Sequence, residues 1–150
     1  MIEARRDITG TAVLDLFAGS GALGFEALSR GAASADFVET NPLVLGTIRA
    51  NAENLDIMDR CGLFREDAQT FLRRNLDTRY ELILADPPYG LPYTEDLPGD
   101  VAEWLAPDGL FVLEHDRRMA FSDRDRVLAT RSHGGTSVTL FGGRGVAQHS

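Results

Sequence analysis

Asp86-Pro87-Pro88-Tyr89 follows directly on the apolar run Tyr80 to Ala85, and this is where the 150-residue chain offers the most chemistry. A strand stopped by two prolines leaves in a stiff, extended shape, with both proline carbonyls lacking ladder partners. Such a corner suits the methylation of an exocyclic base amine. That amine is a poor nucleophile because its lone pair is delocalised into the ring, so its hydrogens must be oriented while nitrogen pyramidalises toward the methyl donor. Asp86 and the Pro87 carbonyl can accept those hydrogens, and Tyr89 can stack on the base. Catalysis would then come from positioning and from acceptors aimed at developing positive charge, with no need of a metal or covalent nucleophile. Asp86, Pro87, Pro88 and Tyr89 are the candidate catalytic residues; the competing reading is a plain loop with a solvent-facing Tyr89.

A second cluster lies near the start. Gly19, Gly21 and Gly24 satisfy G-x-G-x-x-G after an apolar run, with Glu39 closing the next one. The glycines allow a tight turn and close approach to a ligand, either a nicotinamide pyrophosphate or the amino-acid end of S-adenosylmethionine. Asp15 favours the second, because a carboxylate in an apolar strand end suits a cationic or polar group and repels pyrophosphate. Glu39 can accept both ribose hydroxyls of either cofactor. Asp67 can accept from an adenine amine with Ala68 beside the ring, or it can cap a helix starting at Ala68.

The elements that must position these residues alternate. Thr11 to Phe17 reads as a buried strand, the glycine-rich segment opens a helix through about Arg30, and Ala35 to Glu39 is a second strand. Asn41-Pro42 starts a helix with Leu45, Ile48, Ala52 and Leu55 on one face. Cys61 to Asp67 suggests a third strand, then a short helix with Ala68, Phe71, Leu72 and Leu76. Tyr80 to Asp86 is a fourth strand. Tyr89 to Gly99 is a loop, followed by a helix from about Asp100 to Leu105, a turn at Pro107-Asp108-Gly109, and a fifth strand ending near His115. Val127 to Ser132 and Ser137 to Phe141 form an antiparallel hairpin. The pattern predicts one α/β domain over 1–150: a mostly parallel seven-stranded sheet with an antiparallel C-terminal hairpin, helices on both faces, and ligands at the carboxyl ends of the strands.

Composition limits the function classes. The apolar fraction is 43% and the charged fraction 25%, as in a folded globular protein. No run approaches the roughly 20 apolar residues of a membrane span, and MIEARRDITG has no signal-peptide core, so a cytoplasmic address is expected. Cys61 is the single cysteine and reads as a small buried hydrophobe. Net charge is −8, which argues against a general nucleic-acid binder. All fifteen basic residues are Arg, a bias that fits either a salt-rich cytoplasm or a GC-rich genome. The pairs Arg73-Arg74 and Arg117-Arg118 read as solvated surface, Trp104, Phe71 and Phe111 as core, and His115, His133 and His149 carry no catalytic role.

With VLDLFAGSGALGFEALSRGA, FVETNP, DPPYG and VLEH in order over nearly the whole chain, the sequence resembles the 16S ribosomal RNA guanine-N2 methyltransferase family. The resemblance implies a Rossmann-like class I methyltransferase fold. It implies a pocket for S-adenosylmethionine (product S-adenosylhomocysteine) made by Asp15, Phe17, Gly19, Ser20, Gly21, Glu39, Asn41 and Asp67, to which Ala18, Gly24 and Ala68 are added as candidate cofactor-binding residues, with Asp86 and Tyr89 at the target amine. Its implied partner is the small ribosomal subunit or its 16S rRNA; separately, nothing in the sequence suggests an obligate oligomer, so a monomer is expected. Members of the family usually carry a basic segment before the first strand; here twelve residues precede Val13, with Arg5 and Arg6 as the remnant. Alternatives are a DNA adenine N6 methyltransferase, for which no insertion supplies target recognition, a cofactor-binding protein without transfer, and a nicotinamide oxidoreductase.

Overall fold

The computed structural model describes residues 7–74, 78–121 and 126–143. Arg5, Arg6, Leu76 and His149 lie outside them. The strands are β1 (Ala12–Leu16), β2 (Ser34–Val38), β3 (Cys61–Phe64), β4 (Tyr80–Ala85), β5 (Leu105–Asp116), β6 (Val127–His133) and β7 (Thr136–Gly142), in spatial order β3-β2-β1-β4-β5-β7-β6. β1 to β5 pair in parallel, whereas β7 runs antiparallel to both β5 and β6. The chain runs outward from β1 to β3 and returns to β4 on the other side of β1. This reversal opens a crevice at the carboxyl ends of β1 and β4, where open α/β sheets bind ligands.

Successive strand residues feed opposite faces, which fixes two cores. Val13, Phe37 and Leu84 pack with Ala27 and Ile48 from α1 (Ala22–Ser29) and α2 (Pro42–Asn54). Leu14, Leu16 and Phe111 pack on the other face with Phe71 of α3 (Ala68–Leu72), Leu97 of α4 (Leu97–Val101) and Trp104. Helices thus cover both faces, and Phe71, Trp104 and Phe111 are core as expected. No helix among the described residues is long and apolar enough to cross a membrane.

Four expectations are corrected. The segment read as a loop to Gly99 already turns helical at Thr94–Asp96 and continues as α4, because Leu97 and Val101 find the core and Pro98 sits in the first turn, where its missing N–H costs nothing. Pro107-Asp108-Gly109 does not end an element. Leu105 pairs with Tyr80 and Leu110 with Leu82, so these residues bulge out of β5 without breaking it. Leu55 is 61% exposed as the C-cap of α2, and Cys61 is only half-buried.

Gly24 has a packing role. A Cβ there would lie 2.3 Å from the Phe37 ring, which itself contacts the Phe25 ring at 5.2 Å. Gly24→Ala should therefore destabilise the fold by about 2 kcal/mol despite the helix propensity gained. Chemical denaturation measures this; an unchanged midpoint would mean that the Phe37 ring yields freely.

Candidate active site

β1 ends in a loop that only particular residues can make. Phe17 takes φ 58°, Gly19 φ 54° and Gly21 φ 81°, all in the left-handed region. A non-glycine residue held there stores on the order of 1 kcal/mol of strain. Two ties hold it: the Ala18 N–H donates to the Val38 carbonyl at 2.9 Å, and the Gly19 N–H to Glu39 Oε1 at 2.9 Å. The other Glu39 oxygen accepts from the Asn41 N–H at 2.9 Å, so one carboxylate joins the loops after β1 and β2. Ser20 Oγ accepts from the Ala22 N–H at 3.3 Å as α1 begins.

Beside this loop lies a cleft of about 300 Å³ lined by Phe17, Glu39, Thr40, Glu66, Asp67, Ala68, Asp86 and Pro88, among others. Four lining side chains are acidic and none is basic. Asp67 caps α3, accepting from the Gln69 N–H at 3.0 Å, and also accepts from the Tyr93 hydroxyl at 2.9 Å. The Tyr93 ring lies 6.3 Å from that of Phe17. The helix-cap role of Asp67 is thus realised while its carboxylate still forms part of the cleft wall. Glu66, Thr40 and Tyr93 went unmarked in the sequence because only tertiary contact brings them here.

Of the residues selected for the cofactor, Phe17, Glu39, Asp67 and Ala68 line the cleft, and Ala18, Gly19, Ser20 and Gly21 make the adjoining loop. The other three stand behind. Asn41 caps α2, its Oδ1 accepting from the Leu43 N–H at 2.9 Å. Asp15 is 2% exposed and accepts from the Gly24 N–H at 3.1 Å. Burial pushes its carboxyl up to about 8, with Asp86 and Glu39 adding to the rise. The acid-lined cleft fits a sulfonium and an ammonium and opposes a pyrophosphate.

A second cleft, of about 630 Å³, opens on the far side of the same corner and is lined by Asp86, Pro87, Pro88, Tyr89, Glu114 and His115, among others. Asp86 and Pro88 belong to both clefts. Tyr89 is 89% exposed, a large aromatic at the rim beside the Arg118 guanidinium. The proline carbonyls are not equivalent, contrary to expectation: that of Pro88 accepts from the Leu91 N–H at 3.2 Å and closes a turn through Gly90. Pro87 keeps the carbonyl with no protein donor among the described residues.

A family model described as conserved hypothetical protein 95 matches residues 1–142. YlbH of Bacillus subtilis, provisionally named an rRNA methyltransferase, is 34% identical over 139 residues, covering 88% of this chain and 76% of YlbH. Ribosomal RNA small subunit methyltransferase D of Haemophilus influenzae is 31% identical over 108 residues, covering 69% of this chain and 56% of that protein. The chain belongs to the methyltransferase D family. It spans about three quarters of YlbH and a little over half of the Haemophilus protein. The solved structure of Escherichia coli yhhF, provisionally named a methyltransferase, superposes with a TM-score of 0.84 at 26% identity over 93% of this chain and 79% of that one.

In this methyltransferase D family member, both arginine pairs lie on the exposed surface as expected, and Arg74 and Arg118 make local contacts there. The Arg74 guanidinium lies 5.9 and 5.7 Å from the Phe64 and Phe71 ring centroids and donates from Nε to Glu66 at 3.1 Å, so it buttresses the smaller cleft. Arg118 grips Asp116 through Nε at 3.2 Å and Nη2 at 3.1 Å, close to Tyr89. His115 lines the larger cleft with both ring nitrogens engaged: Nδ1 lies 2.8 Å from the Asp116 carbonyl oxygen and Nε2 2.7 Å from Thr139 Oγ1. Nδ1–H therefore donates, Nε2 accepts, and the ring is a structural strut.

Proposed function

We propose that this chain transfers methyl from S-adenosylmethionine to the N2 amine of a guanine in 16S rRNA, naked or within the small subunit, as a cytoplasmic monomer without a metal. One observation carries the reading: two clefts of different character meet at Asp86 and Pro88. The smaller is acid-lined and suits a cationic cofactor; the larger carries an exposed aromatic and suits a base. The names of the methyltransferase D and YlbH relatives support the rRNA substrate.

When bound in the smaller cleft, S-adenosylmethionine supplies an electrophilic methyl on a sulfonium. The protein's own part is positional. Glu39, Asp67, Ala68 and Phe17 would hold the cofactor, with Asp15 able to ionise once the cation is bound. Tyr89 stacks the flipped base, Asp86 and the Pro87 carbonyl receive the two amine hydrogens, and Asp86 takes the proton the amine gives up. The rigid diproline corner fixes the angle of approach.

Transfer of labelled methyl to unmodified small subunits tests this function. Tyr89→Ala tests the base platform: losing one stacking face, worth about 1–3 kcal/mol, should lower kcat/KM roughly tenfold or more with cofactor affinity unchanged. Full activity in Tyr89→Ala would remove Tyr89 from the site.

A further inference from the structure

β4 and β5 bring a second carboxylate to the target cleft, one for which the reaction above has no task. Ala85 pairs with Leu113, so the next residues, Asp86 and Glu114, leave neighbouring parallel strands side by side. Both line the larger cleft together with Tyr89, and their carboxyl groups stand within hydrogen-bonding reach of each other. Two carboxylates so close cannot both ionise freely; burial pushes both up, and Asp86 pushes Glu114 up further.

Several other side chains of that cleft already have partners. His115 is bonded through both ring nitrogens, Asp116 is held by Arg118, and the Thr94 hydroxyl donates to the Leu91 carbonyl at 3.0 Å. Asp86 and Glu114 are carboxylates of that cleft with no basic partner among the described residues, and the Pro87 carbonyl is a further acceptor beside them. A guanine presents two adjacent donors on its Watson–Crick edge, the N2 amine and N1–H. An adenine presents one donor beside the bare N1 acceptor, which would face a carboxylate lone pair.

We propose that Glu114 is the residue that selects guanine, its carboxyl oxygen accepting N1–H while Asp86 accepts from the N2 amine of the same base. The assignment rests on the guanine-N2 reading given above. A site that must hydrogen-bond a substrate group rejects an analogue lacking it, because its own acceptor is then stranded. Neighbouring acceptors on neighbouring strands also fix the amine beside Asp86, so recognition and orientation are one event.

Guanosine and 2-aminopurine riboside decide the matter, since the second keeps the amine but has a bare N1. Each is titrated by NMR into wild-type and Glu114→Gln protein saturated with S-adenosylhomocysteine. Wild type should bind guanosine roughly tenfold or more tighter than 2-aminopurine riboside. Glu114→Gln, whose amide can donate to the bare N1, should bring that ratio to about one or below. Wild-type binding that is equal for the two nucleosides, or undetectable for both, overturns the proposal without any variant. So does a ratio left unchanged in Glu114→Gln. Labelled transfer to small subunits by wild type keeps the two readings apart. Transfer without nucleoside preference overturns the role of Glu114 alone, and preference without transfer overturns the proposed function while the guanine reader stands.

Discussion

Asp86→Ala is expected to lower methyl transfer roughly a thousandfold, about 4 kcal/mol of transition-state stabilisation, while S-adenosylmethionine binds within a few-fold of wild type. The effect is large because in the proposed reaction Asp86, which lines both clefts, would accept a hydrogen from the amine and then take its proton. Cofactor affinity survives because Phe17, Glu39, Asp67 and Ala68 still line the smaller cleft. Asp86→Asn keeps an acceptor oxygen but loses the proton sink, so its rate should fall between the two. Single-turnover kinetics with calorimetry on the same protein separate rate from binding. An alanine variant with unchanged transfer would remove Asp86 from the chemistry.

Asp15→Asn should make the protein more stable at neutral and alkaline pH, and worse at holding its cofactor. In the fold the Asp15 carboxyl is pushed up to about 8, chiefly by burial, from an ordinary value of 3.8. The folded state therefore keeps a proton that the unfolded chain releases. Stability from this group falls as pH rises between about 4 and 8 and is level above. Ionising the buried group in place costs on the order of 5 kcal/mol, and asparagine escapes this while its amide oxygen still accepts from Gly24. The gap in melting temperature between variant and wild type should thus widen across that window. Cofactor affinity should move the other way, by roughly tenfold, because a cation above Asp15 favours the ionised carboxyl that asparagine cannot supply. A gap that is flat with pH would show Asp15 already ionised in the fold.

Much of this was legible in local sequence because local physics decided it. The apolar runs, the glycine loop and the diproline stop mark strand ends, and strand ends in such a sheet are where ligands sit. Asp67 and Asn41 were legible as helix starts for the same reason. What escaped was set by contacts distant in sequence. Gly24 matches the ligand fingerprint, and its close approach to the Phe37 ring, thirteen positions on, shows only in the α1–β2 contact. Tyr93 reaches Asp67 from a segment that looked like loop, and Glu114 acquires meaning only from the β4–β5 register that sets it beside Asp86. Pro107-Asp108-Gly109 carries every local signal of a turn, yet the pairing on either side holds β5 together and turns the signal into a bulge. Arg74 is exposed as read, and the Phe64 ring beneath its guanidinium comes from β3, where only the fold shows it.

The most direct measurement is transfer of labelled methyl from S-adenosylmethionine to unmodified small ribosomal subunits, to their naked 16S RNA and to DNA, in low and in high salt. The two-cleft site predicts label in the subunit or its RNA, mapped to N2 of a guanine, with the better of the two identifying the assembly state that is the substrate. Label on DNA adenine, or none on any substrate by protein that calorimetry shows to be loaded with cofactor, would contradict it.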